Sequence, residues 1–273
     1  MPEGHTIHRA ALEHHRVFAG QMLLVSSPQG RFSEGASLLN KGFCEAVEAF
    51  GKHLLYKFQD NYALHIHLGL FGRIRKKKLP LTPPRGAVRV RLVGTTHHVD
   101  INGPTICRVL DQSGIEALIK RIGPDVLRPD ADPEIAFQKI HRSKAPIGRL
   151  IMDQSVMAGI GNIYRSEILW RQGINPEIPG NTITWQTFKR IWDDAANLLA
   201  IGVKRNAIVT VEDELVFKKR ISKSYNIFGQ AHCPNCNGNI RRFKINNRRT
   251  FVCDTCQPMQ PTPRAKANSV ESA

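Results

Sequence analysis

The sequence predicts an α+β protein of two domains, and three observations lead to this fold class. The chain has 273 residues, which is enough for two hydrophobic cores. Between Val25 and Leu110, short segments alternate apolar and polar residues with the period of half-buried strands. Beyond residue 130 the apolar residues recur at helical spacing. We therefore expect an N-terminal antiparallel β-sandwich flanked by helices, followed by a helical domain.

The chain begins with Met1-Pro2-Glu3-Gly4, which offers chemistry at the terminus itself. Removal of Met1 exposes the secondary amine of Pro2, which can attack an electrophilic carbon and form an iminium ion. The neighbouring acid, Glu3, can donate a proton to a leaving group or ring oxygen at that carbon. Chains without such chemistry also begin this way, so these residues alone leave the catalytic hypothesis open. Helical spacing of apolar residues over 3–18 predicts a helix directly after the terminus.

Two features of the predicted β-domain are candidates for contact with a substrate. Lys52 follows Gly51 at the start of a strand, where lysine is also common without a function. Leu70 and Phe71 form an apolar tip between two glycines, and a dense basic run over residues 73–78 follows at once. An apolar wedge beside positive charge can separate stacked bases while phosphates are held. A solvated basic loop is the alternative interpretation.

His65 and His67 alternate with apolar residues along one predicted strand. Residues two apart on a strand share a face, so their imidazoles can meet a metal ion together. Because no third ligand is evident in the sequence, we favour two sheet-facing histidines without a metal.

In the helical half, a two-glycine turn joins two predicted helices. Pro146 enters a short helix, Gly159 and Gly161 force a turn, and Asn162 is placed to cap the second helix. Such a pair of helices can present backbone N–H groups to phosphates. Asn162 is therefore a candidate both for helix capping and for binding a phosphate.

Four of the six cysteines form two C-x-x-C pairs, Cys233 with Cys236 and Cys253 with Cys256, with sixteen residues between the pairs. This spacing is typical of a four-thiolate tetrahedral zinc site, in which each pair forms a tight knuckle. One structural Zn²⁺ ion is therefore expected.

The chain between the two knuckles can form a hairpin. Asn239–Phe243 is expected to pair with Thr250–Cys253, with Asn246-Asn247 at the turn. Arg248 and Arg249 stand beside that turn, where either can reach a phosphate.

Gly123, Pro124 and Pro129 mark a hinge further upstream. The expected divisions are a catalytic β-sandwich domain (1–122), a hinge (123–130), a helical domain with a helix-two-turn-helix (131–225), a zinc finger (226–257) and a disordered tail (258–273).

The charge of the chain indicates the nature of its partner. Thirty-nine Lys and Arg against 23 Asp and Glu give a net charge of +16, which points to a polyanion. Eleven basic and three acidic residues between Lys204 and Arg249 contribute +8 of this excess. Nucleic acid is favoured over a membrane, because neither a basic amphipathic helix nor a long apolar run occurs. We expect a cytoplasmic monomer, associated with the nucleoid in a bacterium, since the terminus lacks the apolar core of a signal peptide.

Together these motifs resemble the formamidopyrimidine-DNA glycosylase and endonuclease VIII family. The resemblance rests on Met1–Gly4, Gly51-Lys52, Met157–Glu167 (MAGIGNIYRSE) and the four-cysteine finger, which occur in the family's order. It implies a β-sandwich, a helix-two-turn-helix and a zinc finger around a DNA cleft. The implied activity is that of a bifunctional DNA glycosylase and abasic-site lyase in base excision repair. Its partner is then double-stranded DNA that contains damaged bases or abasic sites.

The resemblance also implies roles for single residues. Pro2 looks like the family's nucleophile, and Glu3 looks like the acid that protonates the deoxyribose ring oxygen. Lys52, Asn162 and Arg248 look like the residues that grip phosphates around the flipped nucleotide, and Lys52 and Arg248 thereby belong to the catalytic set.

Arg248 is preferred to Arg249 for this role because of its position. It stands five residues before Cys253, as the family's finger arginine does. Residues 103–107 lack the Arg and Phe with which the formamidopyrimidine branch fills the vacated helix, so Leu70 and Phe71 are the candidates for the wedge.

Three hypotheses for the function result. Gly4, directly after Glu3, resembles the endonuclease VIII branch, whose usual substrates are oxidised pyrimidines. The preferred hypothesis is therefore excision of oxidised bases, preferentially pyrimidines, through a Schiff base on Pro2 followed by β,δ-elimination. The alternatives are an 8-oxoguanine and formamidopyrimidine glycosylase, and a zinc-finger DNA-binding protein without catalysis.

Overall fold

The computed structural model describes residues 2–211 and 224–259. Helix α1 (Gly4–Phe18) begins two residues after Pro2, as predicted, and buries Ile7, Ala11 and Phe18 along one face. Two further helices of this half are α2 (Ser33–Leu39) and α3 (Gln112–Arg121). The strands are β1 (Gln21–Ser26), β2 (Gly42–Phe50), β3 (His53–Phe58), β4 (Ala63–His67), β5 (Arg73–Lys78), β6 (Val88–Val93), β7 (His97–Asn102) and β8 (Ile106–Leu110).

The eight strands form one antiparallel ladder in the order β5-β7-β6-β1-β2-β3-β4-β8. Strand β1 belongs to both halves of the ladder, because Gln21–Leu23 pairs with β2 and Leu24–Ser26 pairs with β6. The inward residues of both halves meet in one buried cluster, which includes Leu54, Ile66, Val90 and Val99. Two halves that share a core are the expected β-sandwich.

The second half of the chain is helical and has a core of its own. Its helices are α4 (Pro133–His141), α5 (Ile147–Leu150), α6 (Asn162–Arg171) and α7 (Trp185–Arg205). Asp132 caps α4, and Thr184 caps α7, each by accepting a backbone N–H bond. The core contains Ile147, Ile168, Phe188 and Leu199. The predicted fold class, α+β in two domains, is confirmed.

The capping role that we predicted for Asn162 is wrong. Asn162 is the first residue of α6, and Gly161 is the N-cap, which has no side chain to accept a bond. The buried N–H groups of Gly161 and Ile163 at the start of α6 instead donate to Glu3, from outside the helix. A cap supplied from a distant part of the chain leaves no local sequence signal.

The finger contains a hairpin of β9 (Arg241–Ile245) and β10 (Arg248–Val252). Its strands lie nearer the turn than predicted, but Asn246 and Asn247 form the turn as expected, with φ of 46° and 59°. Of the predicted disordered tail (258–273), residues 260–273 lie outside the described residues, and so does the part of the basic segment in 212–223. Over the ranges that are described, no helix is long and apolar enough to cross a membrane.

Candidate active site between the domains

A cavity of about 280 Å³ lies between the β-sandwich and the helical domain, and both contribute to its wall. The β-sandwich side supplies the terminus, the start of β3 and the end of β4. The helical side supplies the turn before α6 and the start of β10. Six of the residues predicted for the site line this cavity: Pro2, Glu3, Lys52, Leu70, Asn162 and Arg248.

The N-terminus is fixed to the helical domain rather than to the sandwich that follows it in sequence. The Gly4 N–H donates to the Gly159 carbonyl at 2.8 Å. The Glu3 carboxylate accepts the N–H of Gly161 at 2.9 Å through Oε2 and that of Ile163 at 3.0 Å through Oε1. A carboxylate at this place is stabilised by the positive end of the helix dipole. Pro2 is thereby held next to the N-terminal end of α6.

Glycine is required at these contacts for steric reasons. A Cβ at Gly4 would lie 2.7 Å from the Gly159 Cα, and a Cβ at Gly161 would lie 2.3 Å from the Glu3 Cδ. Gly159 itself has φ of 92°, a conformation that side chains rarely adopt. Gly4, which we associated with lesion class, is therefore also needed for the close packing of the N-terminus against Gly159.

Glu3 and Lys52 face each other as a buried acid and base. Burial raises the pKa of Glu3, while the charge of Lys52 and the N–H donors of α6 oppose that rise. Burial lowers the pKa of Lys52, the charge of Glu3 opposes this, and the charge of Arg248 adds to it. The Lys52 Nζ donates to the Ile160 carbonyl at 2.6 Å. Two cations against one acid leave the cavity with an excess of positive charge, which favours an anion.

Arg248 and Arg249 lie on opposite faces of β10, because successive side chains of a strand alternate. Arg248 shares the face of Thr250, which contacts α6, and lines the cavity. Arg249 contributes its carbonyl oxygen, which accepts from the Asn162 Nδ2 at 2.9 Å. The geometry therefore favours Arg248 over Arg249 as the arginine of the site.

The predicted apolar tip joins β4 to β5 at the edge of the cavity. Leu70 is 45% exposed and Phe71 is 86% exposed, although both are large apolar residues. Phe71 lines an adjoining recess together with Pro2, Thr6 and Arg73. An almost fully exposed phenylalanine beside a polar site is the kind of residue that marks a binding surface.

Sequence reasoning missed His67 as a cavity residue. The register of β3 and β4 places His53 directly opposite His67, and the His53 Nδ1 lies 2.8 Å from the His65 Nε2. Three imidazoles thus share one face where we expected two. His67 lines the cavity, and its Nδ1 accepts the Gly69 N–H at 3.2 Å, which leaves Nε2 as a donor. Only the alternation along β4 hinted at this, and pairing with β3 was needed to show it.

Asp125 is a second residue of the site region without a sequence signal. Its Oδ2 accepts the Gly51 N–H at 2.6 Å and lies 2.7 Å from the His8 Nε2, while Oδ1 accepts the Leu127 N–H at 3.0 Å. The carboxylate is almost completely buried. It therefore connects α1, which follows Pro2 in the chain, to the turn that carries Lys52.

The four cysteines of the finger form one cluster, as predicted. Their sulfur atoms all lie within 4.8 Å of one another. Four thiolates at ~2.3 Å from a zinc ion would stand ~3.8 Å apart in a tetrahedron, so the cluster has the size that zinc requires. The Trp170 indole N–H donates to the Cys233 Sγ at 3.4 Å, which favours a thiolate there. Cys233, Cys236, Cys253 and Cys256 can therefore hold Zn²⁺.

With its cavity at the seam between a β-sandwich and a helical domain that carries a cysteine finger, the molecule has the architecture of a helix-two-turn-helix DNA repair protein. Residues 1–106 match the family model for the formamidopyrimidine-DNA glycosylase N-terminal domain, and residues 122–222 match that for the formamidopyrimidine-DNA glycosylase H2TH domain. The chain belongs to the formamidopyrimidine-DNA glycosylase and endonuclease VIII family, and the predicted family is confirmed.

Relatives of both branches are similar to this chain. Endonuclease 8 1 of Mycobacterium tuberculosis (strain ATCC 25618 / H37Rv) is 40% identical, over 94% of this chain and 100% of the relative. Formamidopyrimidine-DNA glycosylase of Geotalea uraniireducens (strain Rf4) is 30% identical, over 81% of this chain and 84% of the relative. The Lactococcus lactis formamidopyrimidine-DNA glycosylase solved with abasic-site DNA has a TM-score of 0.78 and 20% identity, over 94% of this chain and 100% of that one. This last likeness shows a shared fold.

Proposed function

We propose that the protein is a bifunctional DNA glycosylase and abasic-site lyase of base excision repair, which removes oxidised bases, preferentially pyrimidines, through a Schiff base on Pro2. The observation that carries this function is the one cavity that Pro2 and Glu3 share with Lys52, Asn162 and Arg248. A terminal amine, an acid and phosphate-binding groups are the parts that the reaction needs. The protein would act as a monomer on chromosomal DNA, in the cytoplasm or at the nucleoid.

Phosphates of damaged double-stranded DNA are the ligands that the charge of the site favours. Lys52 and Arg248 supply two cations, and Asn162 supplies an amide beside them. Leu70 and Phe71 would fill the space that the flipped nucleotide leaves in the helix, since apolar side chains can replace a stacked base. The net charge of +16 extends this attraction over the protein surface.

A flipped base has room beside Pro2. A second cavity of about 520 Å³ adjoins the terminus between α1 and β5, and its lining includes Pro2, Thr6, Arg9 and Arg73. A damaged base cannot be attacked while it is stacked, so it must leave the duplex before reaction. We assign this second cavity as the space that receives the base while its sugar carbon, C1′, remains next to the Pro2 nitrogen.

The chemistry then proceeds in balanced steps. The neutral Pro2 nitrogen attacks C1′, the bond from C1′ to the base breaks, and the base leaves with the electron pair and takes up the proton that the attacking nitrogen loses, which restores the nitrogen lone pair. Glu3 protonates the ring oxygen, the bond from C1′ to that oxygen breaks, and the nitrogen lone pair forms the iminium ion. Loss of a C2′ proton expels the 3′ phosphate, and a second elimination from C4′ expels the 5′ phosphate. Water finally hydrolyses the iminium ion and releases Pro2.

Zinc has a structural role in this scheme. The cysteine cluster lies in the finger, and β10 runs from Arg248 directly to Cys253. One Zn²⁺ ion would fold the finger and so hold Arg248 in the cavity. Pro2 and Glu3 perform the steps at C1′, and neither belongs to the cysteine cluster.

The pyrimidine preference is supported by the 40% identity to a protein named Endonuclease 8 1. Excision rates on duplexes that contain either 5-hydroxycytosine or 8-oxoguanine test it, with Glu3→Gln as the inactive control. Faster release of 5-hydroxycytosine supports the proposed preference, and faster release of 8-oxoguanine supports the formamidopyrimidine alternative. Tight binding of both duplexes without release of either base would leave the non-catalytic DNA-binding protein as the function.

A further inference from the structure

Arg165 is a fully buried arginine in the first turn of α6. It has no exposed surface and is the largest of the fully buried side chains in the described part of the chain. Burial lowers its pKa to about 10, the charge of Glu3 opposes this, and the charge of Arg248 adds to it. Burying a charge is costly, and well-packed apolar residues often stabilise a core as much or more. Stability alone is therefore a weak reason for an arginine at this position.

The guanidinium of Arg165 joins the start of α6 to the finger hairpin. The two N–H groups of one nitrogen, Nη2, are shared among three acceptors, the Asn162 Oδ1 at 2.5 Å, the Arg249 carbonyl at 2.9 Å and the Thr250 Oγ1 at 2.8 Å. These acceptors lie up to 85 residues away in sequence. Nη1 reaches the Gly148 carbonyl at 3.4 Å, which adds the start of α5 to the same network.

The network continues from Arg165 to Arg248 itself. The Thr250 hydroxyl accepts from Arg165 and donates to the Arg248 carbonyl at 3.2 Å. Asn162, which accepts from Arg165, also donates to the Arg249 carbonyl. Three consecutive residues of β10 are thus bound to Arg165 directly or through one group. Arg165 thus connects Asn162 with the strand that carries Arg248, both in the wall of the cavity, in addition to the direct bond from Asn162 to the Arg249 carbonyl.

We propose that Arg165 is a positioning residue of the glycosylase, which holds the finger hairpin on α6 so that Arg248 and Asn162 grip the phosphates of the flipped nucleotide together. This role rests on the proposed function for the identity of the ligand. An arginine suits it because its planar guanidinium holds two nitrogens in a fixed relation, so that Nη2 reaches β10 while Nη1 reaches the Gly148 carbonyl, whereas a lysine has one mobile nitrogen. A zinc ion on the four cysteines would organise the cysteine end of the hairpin, and Arg165 organises the end that enters the cavity.

Binding of a duplex that contains a tetrahydrofuran abasic-site analogue, which cannot react, is the test. The proteins are the wild type, Arg165→Lys, Arg248→Ala and the double variant, each with its zinc content and melting temperature recorded. We expect Arg165→Lys to retain zinc and to raise the Kd for this duplex about tenfold. In the Arg248→Ala background the same substitution should raise Kd clearly less than about tenfold, because the part of its effect that acts through Arg248 is already lost and only the part that acts through Asn162 remains.

Two further variants keep the result interpretable. Thr250→Val removes the hydroxyl between Arg165 and Arg248 and does not change a charged residue. It should show the same non-additive loss of affinity, and it replaces Arg165→Lys in the test if that variant folds poorly. Arg171→Lys is the matched control on α6, because Arg171 bonds to Asp194 and to the Thr210 carbonyl, neither of which belongs to β10. Equal losses of affinity in both Arg248 backgrounds, or no loss in either Arg165→Lys or Thr250→Val, would overturn the positioning role. Since the analogue does not react, wild-type protein that binds it without cleaving natural lesions contradicts the proposed activity and leaves this test intact.

Discussion

Glu3 caps a helix that begins 159 residues after it: its Oε1 accepts the Ile163 N–H at 3.0 Å, across a separation of 160 residues. The acid that would serve the reaction is therefore also a structural part of the helical domain. Because the cap fixes both oxygens, Glu3 can protonate only a group that enters the cavity beside Pro2. Structure and chemistry at this residue can be separated by two substitutions.

Glu3→Gln keeps the side-chain length and one acceptor oxygen but removes the transferable proton. We expect excision to fall by ~10²–10⁴, the usual contribution of general acid catalysis. Because both carboxylate oxygens accept a buried N–H, the amide nitrogen of Glu3→Gln leaves one of these donors unsatisfied, which should cost ~1–3 kcal/mol of stability. Glu3→Ala removes both acceptors and should cost more stability than Glu3→Gln. Excision kinetics and urea unfolding measure the two effects. Nearly normal excision by Glu3→Gln would exclude Glu3 as the acid.

Gly4→Ala should destabilise the protein, although the same substitution ordinarily stabilises a helix. Replacing glycine by alanine within a helix ordinarily stabilises it by ~0.5–1 kcal/mol. Here the added Cβ would meet the Gly159 Cα at 2.7 Å and push α1 away from the turn before α6. We expect a loss of ~1–3 kcal/mol, as for an overpacked core, and a fall in excision. Urea unfolding measures the sign, with the exposed Arg16→Ala on α1 as control, and a stabilised Gly4→Ala would contradict the close packing.

Asp125→Ala should weaken the contacts that hold the turn of Gly51 and Lys52 in place. The substitution leaves the buried Gly51 N–H without its acceptor, which costs ~1–3 kcal/mol, and frees the His8 imidazole. Lys52, the next residue after Gly51, then loses its fixed position. We expect a lower excision rate with unchanged zinc content, measured on the same preparation. A variant that loses stability while its remaining folded fraction reacts at the normal rate would assign Asp125 to stability alone.

His14 gives the protein an acid-sensitive stability. Burial lowers the pKa of His14 to about 3, and its Nδ1 lies 2.7 Å from the Tyr56 hydroxyl. The unfolded chain, with an ordinary histidine pKa near 6.5, binds one more proton than the folded chain between those two values. Stability therefore falls as the pH falls below 6.5, by ~1.4 kcal/mol per pH unit for this group. His14→Gln should reduce the slope of unfolding free energy between pH 6 and 4 by that amount, and an unchanged slope would contradict it.

Much of the site could be predicted because its signals are local. The Cys233 and Cys236 spacing, the alternation of the strands and the turn at Asn246 depend on residues close in sequence. The contacts of Glu3 with α6 and of Asp125 with His8 join distant segments, and only the packing of the domains creates them. The cap assigned to Asn162 failed for the same reason, since a carboxylate from the far end of the chain took its place.

The central claim is that the Pro2 nitrogen forms the Schiff base. Reduction with borohydride during reaction with abasic-site DNA, followed by mass spectrometry of the cross-linked peptide, tests it most directly. We expect a covalent adduct on the Pro2 nitrogen, with a yield no higher than the fraction of chains from which intact mass shows Met1 to be removed. An adduct on Lys52, the other amine in the cavity, or no adduct on abasic-site DNA would contradict the claim.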